Sequence, residues 1–110
     1  MQTGRLEKLL EFIKAEPEDP FLKYALATEY LRINQTDKAL EYYEELVNKH
    51  PDYMGTYYHL GKLYEALNRK DDAISTYETG MKITREQRDN HAFSELQAVY
   101  NELTDSYEDD

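Results

Sequence analysis

Residues 55–67 read GTYYHLGKLYEAL and place Tyr57, Tyr58, His59, Lys62, Tyr64 and Glu65 within one short run. Side chains of these types can stack on a ligand, carry a proton or pair with a charge. Nucleophilic catalysis needs a base held against an activated nucleophile, and neither has a foothold. Cysteine is absent, and no serine stands in a Gly-x-Ser-x-Gly turn. Gly61-Lys62 lacks the upstream glycine spacing of a phosphate loop. Asp71-Asp72 lacks the glycine and bidentate glutamate of a calcium loop. His50, His59 and His91 form no pair at metal-ligand spacing within one helix. A metal or hydrolytic site would need the fold to gather His59, His91 and nearby carboxylates. No catalytic residue, metal or cofactor is expected, and the chain reads as a non-enzyme. What remains is aromatic: 11 tyrosines and three phenylalanines without a tryptophan.

Composition narrows the setting. The 110 residues suit one domain, long enough to bury a core without disulfide staples. Thirteen basic residues stand against 23 acidic ones, a formal charge of −10. Such a field repels nucleic acid unless a basic stripe overrides it, and Lys82, Arg85 and Arg88 read more simply as a solvated helix face. Glu7, Lys8, Glu11 and Lys14 interrupt the apolar positions of the amino terminus, so no secretory leader is expected. No stretch approaches the roughly 20 apolar residues of a membrane span. A cytoplasmic protein that binds neither nucleic acid nor membrane is the expectation.

The elements that must position these rings follow from the breakers. Glycine and proline are scarce and fall between apolar-periodic runs, which predicts an all-α fold. Pro17 and Pro20 separate helices at roughly 3–15 and 20–33; Asn34 precedes one at 37–49, ending at His50-Pro51. Further helices are expected over 53–67 and 71–83, with Asn68 between them, and over 86–104. Residues 20–53 laid over 54–87 show a period of 34: Tyr24 matches Tyr58, Leu26 matches Leu60 and Tyr30 matches Tyr64. Asn34 matches Asn68, Asp37 matches Asp71, Ala39 matches Ala73 and Tyr43 matches Tyr77. Asparagine tolerates the left-handed backbone that ends a helix, and aspartate suits the cap or first turn of the next. Small Ala39 and Ala73 are expected to face small Ala27 and Gly61, so that paired helices approach closely.

That period with these residue types resembles the tetratricopeptide repeat. Residues 54–85 fit as a second repeat through Tyr57, where the family usually has tryptophan, then Leu60-Gly61, Tyr64, Ala73 and Tyr77. Residues 20–53 fit as a first repeat through Leu26-Ala27, Tyr30, Ala39, Tyr43 and Pro51, but Lys23 stands where a large aromatic is expected. Residues 3–16 form an N-terminal half-repeat helix with Leu6, Leu9, Phe12 and Ile13 as its apolar face. Residues 86–104 lack a Leu-Gly pair and carry one stripe of Ala92, Phe93, Leu96, Val99, Tyr100 and Leu103, as a capping helix would. The resemblance implies a single domain over 1–104. It would be a right-handed α-α superhelix of antiparallel helical hairpins, with an acidic, frayed tail over 105–110.

The resemblance also sorts the tyrosines. Tyr30, Tyr43, Tyr57, Tyr64 and Tyr77 occupy positions that pack between helices in the family. Tyr24 and Tyr58 occupy the position that faces the concave groove, and helical spacing adds Phe21, Thr28 and Leu31 from one repeat and Gly55, Lys62 and Glu65 from the next. His59 is placed at the groove's edge. The implied function is a scaffold that binds a peptide or protein segment there, with rings as anchors and Lys62, His59 and Glu65 setting its orientation. The competing use of Tyr24 and Tyr58 is as core beneath the first or last helix. Some family members clamp a chaperone's C-terminal carboxylate, but Tyr24, Thr28 and His59 do not supply that clamp. The acidic balance favours a neutral or basic segment. The alternative function is self-association, a homodimer made through the exposed end of the array.

Overall fold

A computed structural model of the chain describes residues 3–105. Within them run six helices and no strand: α1 (Gly4–Ala15), α2 (Pro20–Arg32), α3 (Thr36–Lys49), α4 (Gly55–Ala66), α5 (Lys70–Glu86) and α6 (Asn90–Asp105). They form two compact units, Met1–Tyr53 with α1–α3 and Met54–Asp110 with α4–α6.

Asn34 and Asn68 end helices as expected, and Arg88, expected within a helix, does the same. Asn34 and Asn68 adopt φ of 65° and 60°, and Arg88 adopts 61°. Each left-handed residue closes the same turn. The amide of the next residue reaches back five positions, Gln35 to Tyr30, Arg69 to Tyr64 and Asp89 to Thr84, at 2.8–2.9 Å. These bonds satisfy carbonyls that a helix end would otherwise leave bare. Pro17 and Pro51 stop α1 and α3 two residues upstream. The residues before them, Glu16 and His50, leave the helical region with ψ of 71° and 63°. The third position of that series is Arg85, which imposes no stop. Helix α5 therefore runs on to Glu86, and α6 starts at Asn90 rather than at 86. Asp37, Asp71 and Asp72 sit in first turns and act through the helix dipole, since α3 and α5 have no side-chain cap bond. Asp105 belongs to α6; the rest of the expected tail, 106–110, lies outside the described residues.

In the N-terminal unit, α2 packs against both α1 and α3. Leu6, Leu9, Leu22, Ala25, Leu26, Ala27, Tyr30, Ala39, Tyr43 and Leu46 are its buried apolar residues. Two charges are buried among them. Glu29 accepts hydrogen bonds from Thr3 Oγ1 at 2.8 Å, Arg32 Nη2 at 2.6 Å and Arg32 Nε at 3.1 Å. Thr3 also caps α1 by accepting from the Leu6 amide, so one hydroxyl ends α1 and ties it to α2. Lys23, 1% exposed, lies 2.7 Å from Glu45 and 3.2 Å from Glu18. Burial alone would lower its pKa, but hydrogen bonds to Glu45 and Glu18 outweigh that and raise it, so the ammonium persists.

In the C-terminal unit, α5 packs against α4 and α6, and α6 also reaches α4. Tyr57, Leu60, Leu63, Tyr64, Ala73, Tyr77 and Leu96 form the apolar core. Two glycines make room for rings. A Cβ on Gly61 would fall 2.1 Å from Tyr77 Cε1, so the close neighbour there is a ring. A Cβ on Gly80 would fall 2.6 Å from Tyr57 Cβ and 2.9 Å from Leu96 Cδ1. Leu96 alone of the α6 stripe is buried, with Ala92, Phe93, Val99, Tyr100 and Leu103 half-buried around it. Each ring or large aliphatic side chain fully buried in this way is worth about 1.5–3 kcal/mol.

Candidate functional site

Among the described residues of the C-terminal unit, the most exposed tyrosine, Tyr58, lies in a cleft between α4 and α6. One turn of α4 separates Gly55 from Tyr58 and His59, so all three share a face. They line a cleft of about 490 Å³ with Met54, Asp89, Ala92, Glu95 and Leu96. Tyr58 is 37% exposed, whereas Tyr30, Tyr43, Tyr57, Tyr64 and Tyr77 are all buried. The Tyr58 and His59 rings meet edge-on with centroids 5.6 Å apart. Burial lowers the His59 pKa, partly offset by the Glu95 carboxylate, which favours a neutral imidazole. Asp89 accepts from the Ala92 amide at 3.0 Å and so caps α6. Glu95 lies 3.6 Å from His91.

Lys62 and Glu65 stand apart from that lining. Glu65 accepts from the Tyr77 phenol at 2.5 Å and lies 3.8 Å from Lys62. Burial first, and then the Glu65 carboxylate, push the Tyr77 phenol far above its ordinary pKa. Glu65 is thus engaged by the core.

The matched face of α2 is more closed. Tyr24 is half-buried, its ring 6.3 Å from that of Tyr43 and 5.6 Å from that of Tyr53. Thr28, on the same face, exchanges a hydrogen bond with the Tyr43 hydroxyl at 3.1 Å. Burial raises the Tyr24 phenol pKa, against a hydrogen bond from Thr28. Phe21 is 57% exposed at the start of the helix, and Leu31 is half-buried near its end. Tyr24 is therefore partly core, in ring contact with Tyr43 and Tyr53 of its own unit.

The repeated turns, the paired helices and the two tyrosine faces have a counterpart among known families. The tetratricopeptide repeat family matches residues 24–84. The chain belongs to that family. A tetratricopeptide repeat domain protein from Salinibacter ruber is similar in both a solution and a crystal structure, each 52% identical. The solution structure is matched over 80% of this chain and 89% of that one with a TM-score of 0.77; for the crystal structure the values are 78%, 96% and 0.75. The TPR2B domain of yeast Sti1, in a complex with pHsp70, is 17% identical and shares the fold. It is matched over 92% of this chain and 81% of that one, with a TM-score of 0.82. No curated protein matches the chain. Tetratricopeptide repeats are interaction scaffolds rather than catalysts.

Within this tetratricopeptide protein, the last helix was offered by the sequence as a cover for Tyr58, but the residues of α6 that form the wall beside it, Ala92, Glu95 and Leu96, were not identified there. The lack of a Leu-Gly pair marks α6 as a cap, yet it continues the 34-residue register. Gly55 leads to Asp89, Tyr58 to Ala92 and Lys62 to Leu96. Carrying the period one step further would have placed Asp89, Ala92 and Leu96 opposite the α4 face. Among the described residues no group of three His, Asp or Glu side chains is arranged to hold a metal ion. No helix among them is long and apolar enough to cross a membrane. Lys82 and Arg85 share helix α5, but Arg88 does not extend their face: it lies in the turn after α5 with φ of 61°, and the Arg85 guanidinium lies over the Phe93 ring, 4.8 Å from its centroid.

Proposed function

We propose that this protein is a non-enzymatic scaffold that binds a peptide or protein segment on its tyrosine-bearing faces. In the C-terminal unit the face is the α4–α6 cleft around Tyr58, and in the N-terminal unit it is the Phe21, Tyr24, Thr28, Leu31 side of α2. One observation carries the reading. Five of the seven tyrosines in repeat positions are buried, while Tyr58 keeps 37% of its surface exposed beside an open cleft. An exposed ring with an apolar floor and a few polar groups is the pattern of a segment-binding site. The family's established use as a scaffold supports it, and so does the Sti1 domain's complex with pHsp70.

The test separates binding from packing. A displayed peptide library is selected on the wild-type protein, and the enriched sequences are remeasured on Tyr58→Ala. The expected result is binding at least about tenfold weaker with a melting temperature within a few degrees, since a half-open ring contributes little to the core. Unchanged affinity would sink the reading. Tyr58→Ala is the cleaner variant, because Tyr24 also supports Tyr43 and Tyr53.

A second reading, self-association, draws on the outer face of α1. Phe12 is 57% exposed there, beside a cleft lined by Arg5, Lys8 and Leu9. Sedimentation across concentration decides it: a strict monomer at high concentration removes it, and a dimer abolished by Phe12→Ser supports it.

A further inference from the structure

The clefts of this protein differ in charge. The α5–α6 cleft sets Lys82 and Arg85 beside Glu78 and Glu86, the α3 cleft beside Tyr30 and Tyr42 sets Lys38 beside Glu41 and Glu45, and the α1 cleft carries Arg5 and Lys8. The α4–α6 cleft is lined by two carboxylates, Asp89 and Glu95, and by no lysine or arginine. Its remaining surface is an exposed phenol ring, a half-buried imidazole and the apolar side chains of Met54, Ala92 and Leu96. A docking surface with this make-up selects by complementarity. An anionic segment would meet like charge on one wall, and a neutral one would leave the two carboxylates with no lysine or arginine on the lining.

We infer that the α4–α6 cleft receives an arginine side chain of the bound segment, with the guanidinium over Tyr58 and facing Asp89 and Glu95. The inference rests on the scaffold reading and names the ligand chemistry of that site. Arginine fits better than lysine for two reasons. A planar guanidinium stacks on a ring face, and its fork of donors engages carboxylates at little further cost in order. An ammonium is a strongly hydrated point charge and gains less from the ring. The lining carries no lysine or arginine and burial disfavours the imidazolium form of His59; the neighbour of these carboxylates from outside the lining is His91, 3.6 Å from Glu95.

The experiment uses the whole chain, 15N-labelled, titrated with acetyl-Leu-Arg-Leu-amide and with its neutral twin, in which citrulline replaces arginine. Saturable shifts are expected for the amides of residues 54–59 and 89–96 with the arginine peptide. The citrulline peptide should bind at least about fivefold more weakly. The Asp89→Asn, Glu95→Gln variant should erase the difference between the two. Asparagine still caps α6 and glutamine keeps the shape of Glu95, so the fold is preserved. Equal affinity of the twins would overturn the inference while leaving a segment-binding cleft in place. Shifts outside both segments, or none, would also overturn it. So would the same shifts produced by raising the protein concentration without peptide, which would assign the cleft to a second copy. Failure of the scaffold reading is visible separately, as library peptides indifferent to Tyr58→Ala.

Discussion

Lys23 in α2 and Tyr57 in α4 stand one period apart, and both are only 1% exposed. In the C-terminal unit the buried group is a ring, and the surroundings shrink to accept it. Gly80 lies so close that any side chain there would strike Tyr57 and Leu96. In the N-terminal unit the buried group is an ammonium, held by Glu45 from α3 and Glu18 from the loop after α1. Position 80 becomes Leu46, which is fully buried. A second exchange follows six residues on, where Glu29 is buried with Arg32 and Thr3 while Leu63 is buried as plain hydrocarbon. The same turns and register thus accommodate buried charge pairs at two positions of one unit where the other has a ring and plain hydrocarbon. Position-by-position resemblance within a repeat family constrains volume and helix ends more tightly than it constrains the chemistry inside.

The ring-packed unit should break most sharply. Tyr57→Ala removes a large side chain that has no water to replace it. The expected loss is about 3–5 kcal/mol in urea unfolding. A loss below about 1 kcal/mol would show that the unit closes over the gap. Gly80→Ala tests the other side of the same contact. Alanine favours a helix over glycine by about 1 kcal/mol, but overpacking against Tyr57 and Leu96 costs about 1–3 kcal/mol, so a net loss is expected. A gain on the same urea curve would mean that α4 and α5 can separate freely.

Acid should single out the N-terminal unit. Hydrogen bonds from Arg32, and then from Thr3, hold the Glu29 carboxyl at about 2 against an ordinary 4.5. A carboxylate whose pKa is lower in the folded state stabilises that state above its unfolded value. Its contribution is lost as pH falls from about 4.5 toward about 2. Amide exchange in α1 should therefore quicken over that window before α2 and α3 respond, because Thr3 joins α1 to Glu29. Glu29→Gln should loosen α1 already at neutral pH and flatten the acid dependence. Uniform acid exchange across α1–α3 would disprove the link.

Much of this contrast follows from residue types whose local physics is strong. Asn34 and Asn68 announced left-handed turns, Pro17 and Pro51 announced helix ends, and the repeat register separated five buried tyrosines from Tyr24 and Tyr58. The face of Gly55, Tyr58 and His59 was legible from helical spacing. The last helix was legible as a cover for Tyr58, but the residues of that wall were not, since α6 keeps the period without the Leu-Gly signature and so reads only as a cap. The engagement of Glu65 by Tyr77 was hidden for a similar reason: it depends on how far a phenol reaches between two helices. Lys23 was visible as a departure, but its partners come from a loop and from another helix. Nothing near Lys23 in the chain marks Glu45 as the residue that makes its burial tolerable.

The smallest effect is expected where the two units differ most in chemistry. Lys23→Met removes a buried charge and leaves a flexible hydrocarbon of similar length. Its partners are not stranded, because the Glu45 and Glu18 side chains are 39% and 68% exposed and can turn to water. The attraction lost and the desolvation no longer required nearly cancel when an ion pair is replaced by well-packed hydrocarbon. Unfolding free energy should stay within about 1 kcal/mol of the wild type, and its salt dependence should weaken. Lys23→Ala should be worse than Lys23→Met, since it loses the stem that fills the space between α2 and α3. If methionine costs as much as alanine, the ammonium itself holds the N-terminal unit together. The two units would then be stabilised by different forces, rather than by the same force applied through different side chains.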